Sequence, residues 1–186
     1  MGFAAGTAAT TGLSFRDDAA VGSVSAVIKD RPRRLDRIFS YAPLYFVTFC
    51  TRNRQTIVDL NGVAAAFIAY CTRAAEEHHI AVGRYVIMPD HVHFFVRGNP
   101  DFVLTSWIGG LKRTMAVAVF EGSQATRLPL QQGSLWQPGF FDHVLRSDES
   151  YAQKWKYVRD NPVRAGLVAQ WDEWPYQGEI VVIDRA

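Results

Sequence analysis

Two pairs of side chains in this sequence have types and spacings that suit chemistry. His91 and His93 sit two residues apart in the run His91-Val92-His93-Phe94-Phe95-Val96-Arg97. In an extended strand residues i and i+2 project to one face, so two imidazoles stand side by side while Val92 and Phe94 face the other way. Neutral imidazole is a ligand for divalent metals, and an unperturbed pKa of about 6.5 leaves it mostly neutral near neutral pH. The pair is thus half of a metal site for Mg²⁺, Mn²⁺ or a softer ion; the plainer reading is two histidines on a partly exposed sheet face. Tyr157 and Asn161 are four residues apart near the end of a helical stretch, and therefore on one side of it. A hydroxyl and an amide oxygen there address a common site, against the plainer readings of a packing tyrosine and a helix terminator.

The elements that must position these groups are legible from periodicity. Leu44 to Thr51 is aromatic and β-branched and predicts a buried strand, followed by a turn at Asn53-Arg54-Gln55. Val63, Phe67, Tyr70, Cys71 and Ala74 recur at helical spacing over residues 61–77, with His78 and His79 as surface residues at the polar end. Ile80–Met88 and His91–Arg97 predict two strands that pair tightly across Pro89-Asp90. Asp101 is a candidate N-cap for a helix bearing Leu104, Trp107, Ile108, Leu111, Met115 and Val119 on one face, with Lys112 and Arg113 off that stripe. Residues 121–135 read as a loop, and Trp136–Arg146 contains a further strand on Phe140, Phe141, Val144 and Leu145. A last helix, capped by Asp148 or Ser150, runs to about Asp160 and stops at Asn161-Pro162. The first six elements follow the ferredoxin-like βαββαβ pattern, an α+β fold with an antiparallel sheet and helices on one face; the last helix is an addition carrying Tyr157.

Bulk properties bound the rest. The chain has 186 residues, enough for one compact domain, and its 20 basic and 18 acidic residues leave a net charge of +2, too small to identify a nucleic-acid partner. Cys50 and Cys71 lie in no metal or redox spacing and read as buried thiols in a reducing compartment. Neither a signal peptide nor a run of about 18 apolar residues is visible, which predicts a cytoplasmic protein. Residues 1–40 read as a flexible extension, with Lys29, Arg31, Arg33, Arg34 and Arg37 as a basic arm or a solvated linker. Residues 41–176 form the expected domain and 177–186 a tail. No GxxxxGK[ST] loop or Rossmann glycine pattern occurs, so no nucleotide cofactor is expected.

Three ordered blocks carry a resemblance. Val86-Ile87-Met88-Pro89-Asp90-His91-Val92-His93-Phe94, then Trp136-Gln137-Pro138-Gly139-Phe140-Phe141-Asp142-His143-Val144-Leu145-Arg146, then Tyr157-Val158-Arg159-Asp160-Asn161-Pro162-Val163-Arg164-Ala165-Gly166-Leu167-Val168 closely resemble the REP-associated tyrosine transposases, a branch of the HUH single-strand nucleases. The likeness runs from about Tyr41 to Tyr176. It implies that His91 and His93 are the paired metal ligands, that Asn161 falls where the family places a third polar ligand, and that Tyr157 is the nucleophile. It also implies a divalent metal, Mg or Mn, and a substrate of single-stranded DNA with hairpin-forming repeats, cut and rejoined through a 5′-phosphotyrosine. A monomer is expected over a dimer.

The chemistry of the residues agrees with that implication. A phenol with a pKa of about 10 is a weak nucleophile at neutral pH, so its attack on a phosphodiester needs the phosphate polarised from the other side. Arg52, Arg54, Lys112, Arg113, Arg146 and Lys154 are candidate DNA contacts, and His143 is a candidate for the metal or the DNA. Two other functions fit the same fold: a non-catalytic single-strand-binding module, and a replication or conjugation nuclease with the same histidine pair. The catalytic reading alone requires the last helix to approach the imidazoles.

Overall fold

A computed structural model describes residues 42–122, 134–145 and 151–183. Arg146, the residues considered as caps at 148 and 150, most of the loop expected at 121–135, and residues 1–40 fall outside these. The chain runs through β1 (Leu44–Cys50), α1 (Leu60–His78), β2 (Ala81–Ile87), β3 (His91–Arg97), α2 (Leu104–Gly122), β4 (Phe141–Leu145), α3 (Tyr151–Arg159), a one-turn α4 (Asn161–Arg164) and β5 (Gln177–Glu179). The strands form one antiparallel sheet of five in the order β4-β1-β3-β2-β5. Its first four strands reproduce the ferredoxin-like arrangement expected from the sequence.

Alternation along the strands divides the side chains between two cores. On one face Val47, Phe49, Val92 and Phe94 pack with Phe67 and Cys71 of α1 and with Ile108, Leu111 and Met115 of α2. On the other face Leu44, Phe46, Val86, Phe95 and Leu145 pack with Val158 of α3 and with Trp174. Phe67 anchors the first core, fully buried, with ring centroids 4.9 Å from Tyr85 and 5.6 Å from Phe94. Truncating Phe67 to alanine removes those contacts and leaves a cavity the sheet cannot collapse into. We expect a loss of about 3–5 kcal/mol in urea unfolding; a loss below about 1 kcal/mol would contradict this packing.

Several local features differ from the sequence expectations. Asp101 does not cap α2, because the helix begins only at Leu104; the Asp101 N–H donates to the Asn99 side chain at 3.0 Å. The strand expected within Trp136–Arg146 is found at Phe141–Leu145, and ahead of it Trp136 makes an isolated bridge to Thr51. Asn161-Pro162 ends α3 but not the helical path, since Pro162 opens α4, where a missing N–H costs nothing. Residues 177–179, read as part of a tail, pair with β2 as the fifth strand. Cys71 is buried as expected, whereas Cys50 is only half-buried, its sulfur accepting from Arg54 at 3.0 Å. Among the described residues no helix is long and apolar enough to cross a membrane.

Candidate active site

The tight link between β2 and β3, closed by Met88 N–H donating to His91 O at 2.8 Å, places His91 and His93 at the start of a central strand. Register fixes their direction. Phe46 is paired with Phe95, Thr48 with His93 and Cys50 with His91, and Phe46 and Phe95 belong to the core beneath α3. The imidazoles therefore lie on the α3 side of the sheet, 4.7 Å apart between ring centroids and nearly perpendicular at 83°.

Each ring has one nitrogen already engaged. His91 Nδ1 lies 2.5 Å from Asp90 Oδ1, and the other carboxylate oxygen pairs with Arg54 Nε at 3.3 Å. A carboxylate only accepts, so in this contact the proton sits on His91 Nδ1. His93 Nδ1 lies 2.7 Å from Thr48 Oγ1, and the His93 ring stacks on Phe46 with centroids 5.6 Å apart. Burial, followed by the nearby His91, Arg54 and Arg164 and opposed by Asp90, pushes the His93 pKa down to about 3. His93 is then neutral at any physiological pH, the form that ligates metal. The donor set fits a divalent ion: two imidazole nitrogens are oriented by outer partners, and the remaining positions are left to oxygen ligands. Among the described residues no third His, Cys, Asp or Glu joins them in a cluster.

The end of α3 lies on the same side. Val158 is buried in the core that holds Phe46 and Phe95, while its neighbour Tyr157 is 65% exposed. Arg164 ties the tyrosine to the asparagine. Its guanidinium stacks 4.3 Å from the Tyr157 ring centroid, donates to Tyr157 O at 2.8 Å and donates to Asn161 Oδ1. Because the Arg164 charge also acts on His93, this cluster and the imidazole face share one electrostatic environment.

The other expected residues separate into two groups. Lys154 lies 5.4 Å over the Phe46 ring and His143 is paired with Phe46 across β1 and β4, so both belong to the imidazole side. Arg54 joins them through Asp90. Arg52 is exposed beyond the end of β1, with its Nε donating to Ser134 O at 3.3 Å. Lys112 and Arg113 stand on α2, against the opposite face. Lys112 donates to Gln137 O at 2.9 Å and to Gly139 O, and lies 5.2 Å over Phe49, so it fastens the turn before β4. Arg113 is exposed and its charge reaches Tyr70 of α1, not the imidazoles. Sequence reasoning missed Thr48, Asp90 and Arg164. Asp90 was adjacent to a candidate ligand and could have been found; the other two are visible only once register and helix path are known.

Comparison with known proteins decides the family. The description "Transposase IS200 like" matches residues 40–161. The chain belongs to the IS200-like transposase family. A Haemophilus influenzae relative, named as a candidate REP-associated tyrosine transposase, is 25% identical over 146 residues, covering 75% of this chain and 81% of that one. The REP-associated tyrosine transposase of Escherichia coli K12 is 28% identical over 98 residues, covering 51% of this chain and 52% of that one. A solved structure described as a REP-associated tyrosine transposase bound to a REP hairpin superposes with a TM-score of 0.57 at 23% identity, over 73% of this chain and 76% of that one. That likeness establishes the shared fold. As an IS200-like transposase the chain is a DNA-processing protein, and the resemblance read from its three sequence blocks is borne out.

Proposed function

We propose that this transposase cleaves and rejoins single-stranded DNA at hairpin-forming repeats, with Tyr157 as the nucleophile and His91, His93 and Asn161 as ligands of a Mg²⁺ or Mn²⁺ ion. The observation that carries the reading is the imidazole pair: both rings hold Nδ1 against an outer partner, Asp90 or Thr48, side by side on the sheet face that α3 covers. The structural relative is bound to a REP hairpin, which supports the choice of substrate.

In this reading Tyr157 Oη attacks the scissile phosphorus, forming a phosphotyrosyl bond as the bond from phosphorus to the 3′-oxygen breaks. The phenolic proton is lost to solvent and the departing 3′-oxygen gains one, leaving a 3′-hydroxyl and a 5′-phosphate on the tyrosine. A second 3′-hydroxyl reverses the exchange and joins strands, so no nucleotide hydrolysis is needed. When bound, the metal supplies Lewis-acid polarisation of the non-bridging phosphate oxygens. Asp90 and Thr48 hold the two ligand rings, and the exposure of Tyr157 lets a strand reach the phenol. Asn161 must exchange its bond to Arg164 for a ligand role. Lys154, Arg52 and Arg54 supply positive charge on or beside the imidazole face, and Arg146, which closes the second sequence block, is a further candidate. A cytoplasmic monomer completes the proposal.

A hairpin-bearing single-stranded oligonucleotide incubated with the protein and Mg²⁺ or Mn²⁺ tests it. The expected product is a protein–DNA adduct that survives denaturation; its absence across varied hairpins would favour the non-catalytic binding module. Asp90→Asn is a finer probe, since a partner that orients a ligating histidine contributes about 10- to 100-fold in metal affinity. Calorimetric titration with Mn²⁺ should show that loss, and an unchanged affinity would remove Asp90 from the account.

A further inference from the structure

Phe141 opens β4, one of the two edge strands of the sheet, and is 60% exposed. Single exposed hydrophobics are common on protein surfaces, so exposure alone means little. Position distinguishes this one. Phe141 is paired with Thr48, and Thr48 is paired on its other side with His93, whose Nδ1 it contacts at 2.7 Å. Directly opposed residues in an antiparallel sheet share a face, so Phe141, Thr48 and His93 form one row on the imidazole side. With strands about 4.8 Å apart, the row places the Phe141 backbone about 10 Å from that of His93 across the sheet. A strand whose phosphate rests at the imidazoles covers that span within about three nucleotides, at about 3.4 Å per stacked nucleotide.

The turn into β4 is also tied to α2. Gly139, at φ 72°, turns the chain into the strand, and Lys112 clamps the carbonyls of Gln137 and Gly139. A solvent-facing aromatic ring beside the site where the proposed reading puts the phosphate is what base stacking requires.

We infer that Phe141 is a stacking platform for a nucleobase flanking the scissile phosphate. The inference rests on the proposed reading that single-stranded DNA occupies the imidazole face. Stacking acts on any base, so the platform fixes the strand's path without selecting a sequence.

The test measures binding of a hairpin oligonucleotide in EDTA, with one abasic site walked through the nucleotides around the cleaved position, and reads adduct formation with Mn²⁺ separately. In the wild-type protein one abasic position should weaken binding about 5- to 150-fold, the range typical of one stacked base. Phe141→Ala should weaken binding to the intact oligonucleotide by a similar factor and become indifferent to that abasic position; Phe141→Trp should restore the dependence. An abasic penalty that persists unchanged in Phe141→Ala, while adducts still form, overturns the stacking role and leaves the enzyme reading intact. Loss of the penalty in Phe141→Ala without adduct in any protein supports stacking and refutes the enzyme reading. Failure of the wild-type protein to bind any hairpin oligonucleotide overturns both.

Discussion

Tyr157→Phe is expected to lower single-strand cleavage by about 10³-fold or more and to abolish the denaturation-resistant adduct, while hairpin binding stays within about twofold of wild type. The size follows from chemistry: without the hydroxyl no covalent intermediate forms, and the residual rate is that of whatever water the site can direct. The selectivity follows from structure. Tyr157 is 65% exposed and contributes to neither core, whereas its neighbour Val158 is buried against the sheet. Losing one oxygen at that position leaves α3 seated. Gel-shift titration and single-turnover cleavage on the same oligonucleotide check the two halves together, and an adduct that survives the substitution would assign the nucleophile elsewhere.

Removal of the imidazoles should produce the second large effect. His91→Ala and His93→Ala are each expected to lower metal-dependent cleavage by about 10²- to 10⁴-fold, the equivalent of several kcal/mol of lost charge stabilisation at the phosphate. Mn²⁺ binding followed by electron paramagnetic resonance should weaken in parallel. Treatment of the wild-type protein with EDTA should reproduce the loss, with recovery on adding Mn²⁺. The two variants differ in a way that separates ligation from folding. His93 stacks on Phe46 and contacts Thr48, so its loss should also lower stability, whereas His91 contacts the half-buried Asp90. Equal loss of Mn²⁺ binding with unequal loss of stability is the expected pattern, and retention of Mn²⁺ binding by both variants would rule out the imidazole site.

Much of the architecture is encoded locally and was readable for that reason. The strand at Leu44–Cys50 is an aromatic and β-branched run, the hairpin turns on Pro89-Asp90, and the helix at Leu60–His78 repeats one period over a long stretch. The placement of His91 and His93 on the face opposite Val92 and Phe94 came from strand alternation. What was not readable depends on partners distant in sequence or on competing local bonds. Asp101 has the side chain of a cap, but α2 begins only at Leu104, which leaves Asp101 outside the N-cap position. β5 has only three residues, and their glycine-containing run acquires strand character from pairing with β2.

The site divides along the same line. The histidine pair needs only a strand, but Thr48 enters through register across 45 residues of sequence, and no spacing announces it. Lys112 shows the converse. It lies off the apolar stripe of α2 and reads as a candidate DNA contact, yet the turn at Gln137–Gly139 folds back over it and accepts two hydrogen bonds from its ammonium. Tyr157 and Asn161 share Arg164 as a partner because the helical path continues past Pro162, where sequence rules predicted an end.

The most direct measurement is mass spectrometry of the covalent adduct after digestion with nuclease and protease. A peptide containing Tyr157 should carry a residual 5′-nucleotide through a phosphodiester on the phenolic oxygen, and only in samples that contained DNA and a divalent metal. A nucleotide attached to any other side chain, or cleaved DNA whose 5′-phosphate is never found on protein, would contradict the assignment of this tyrosine as the attacking group.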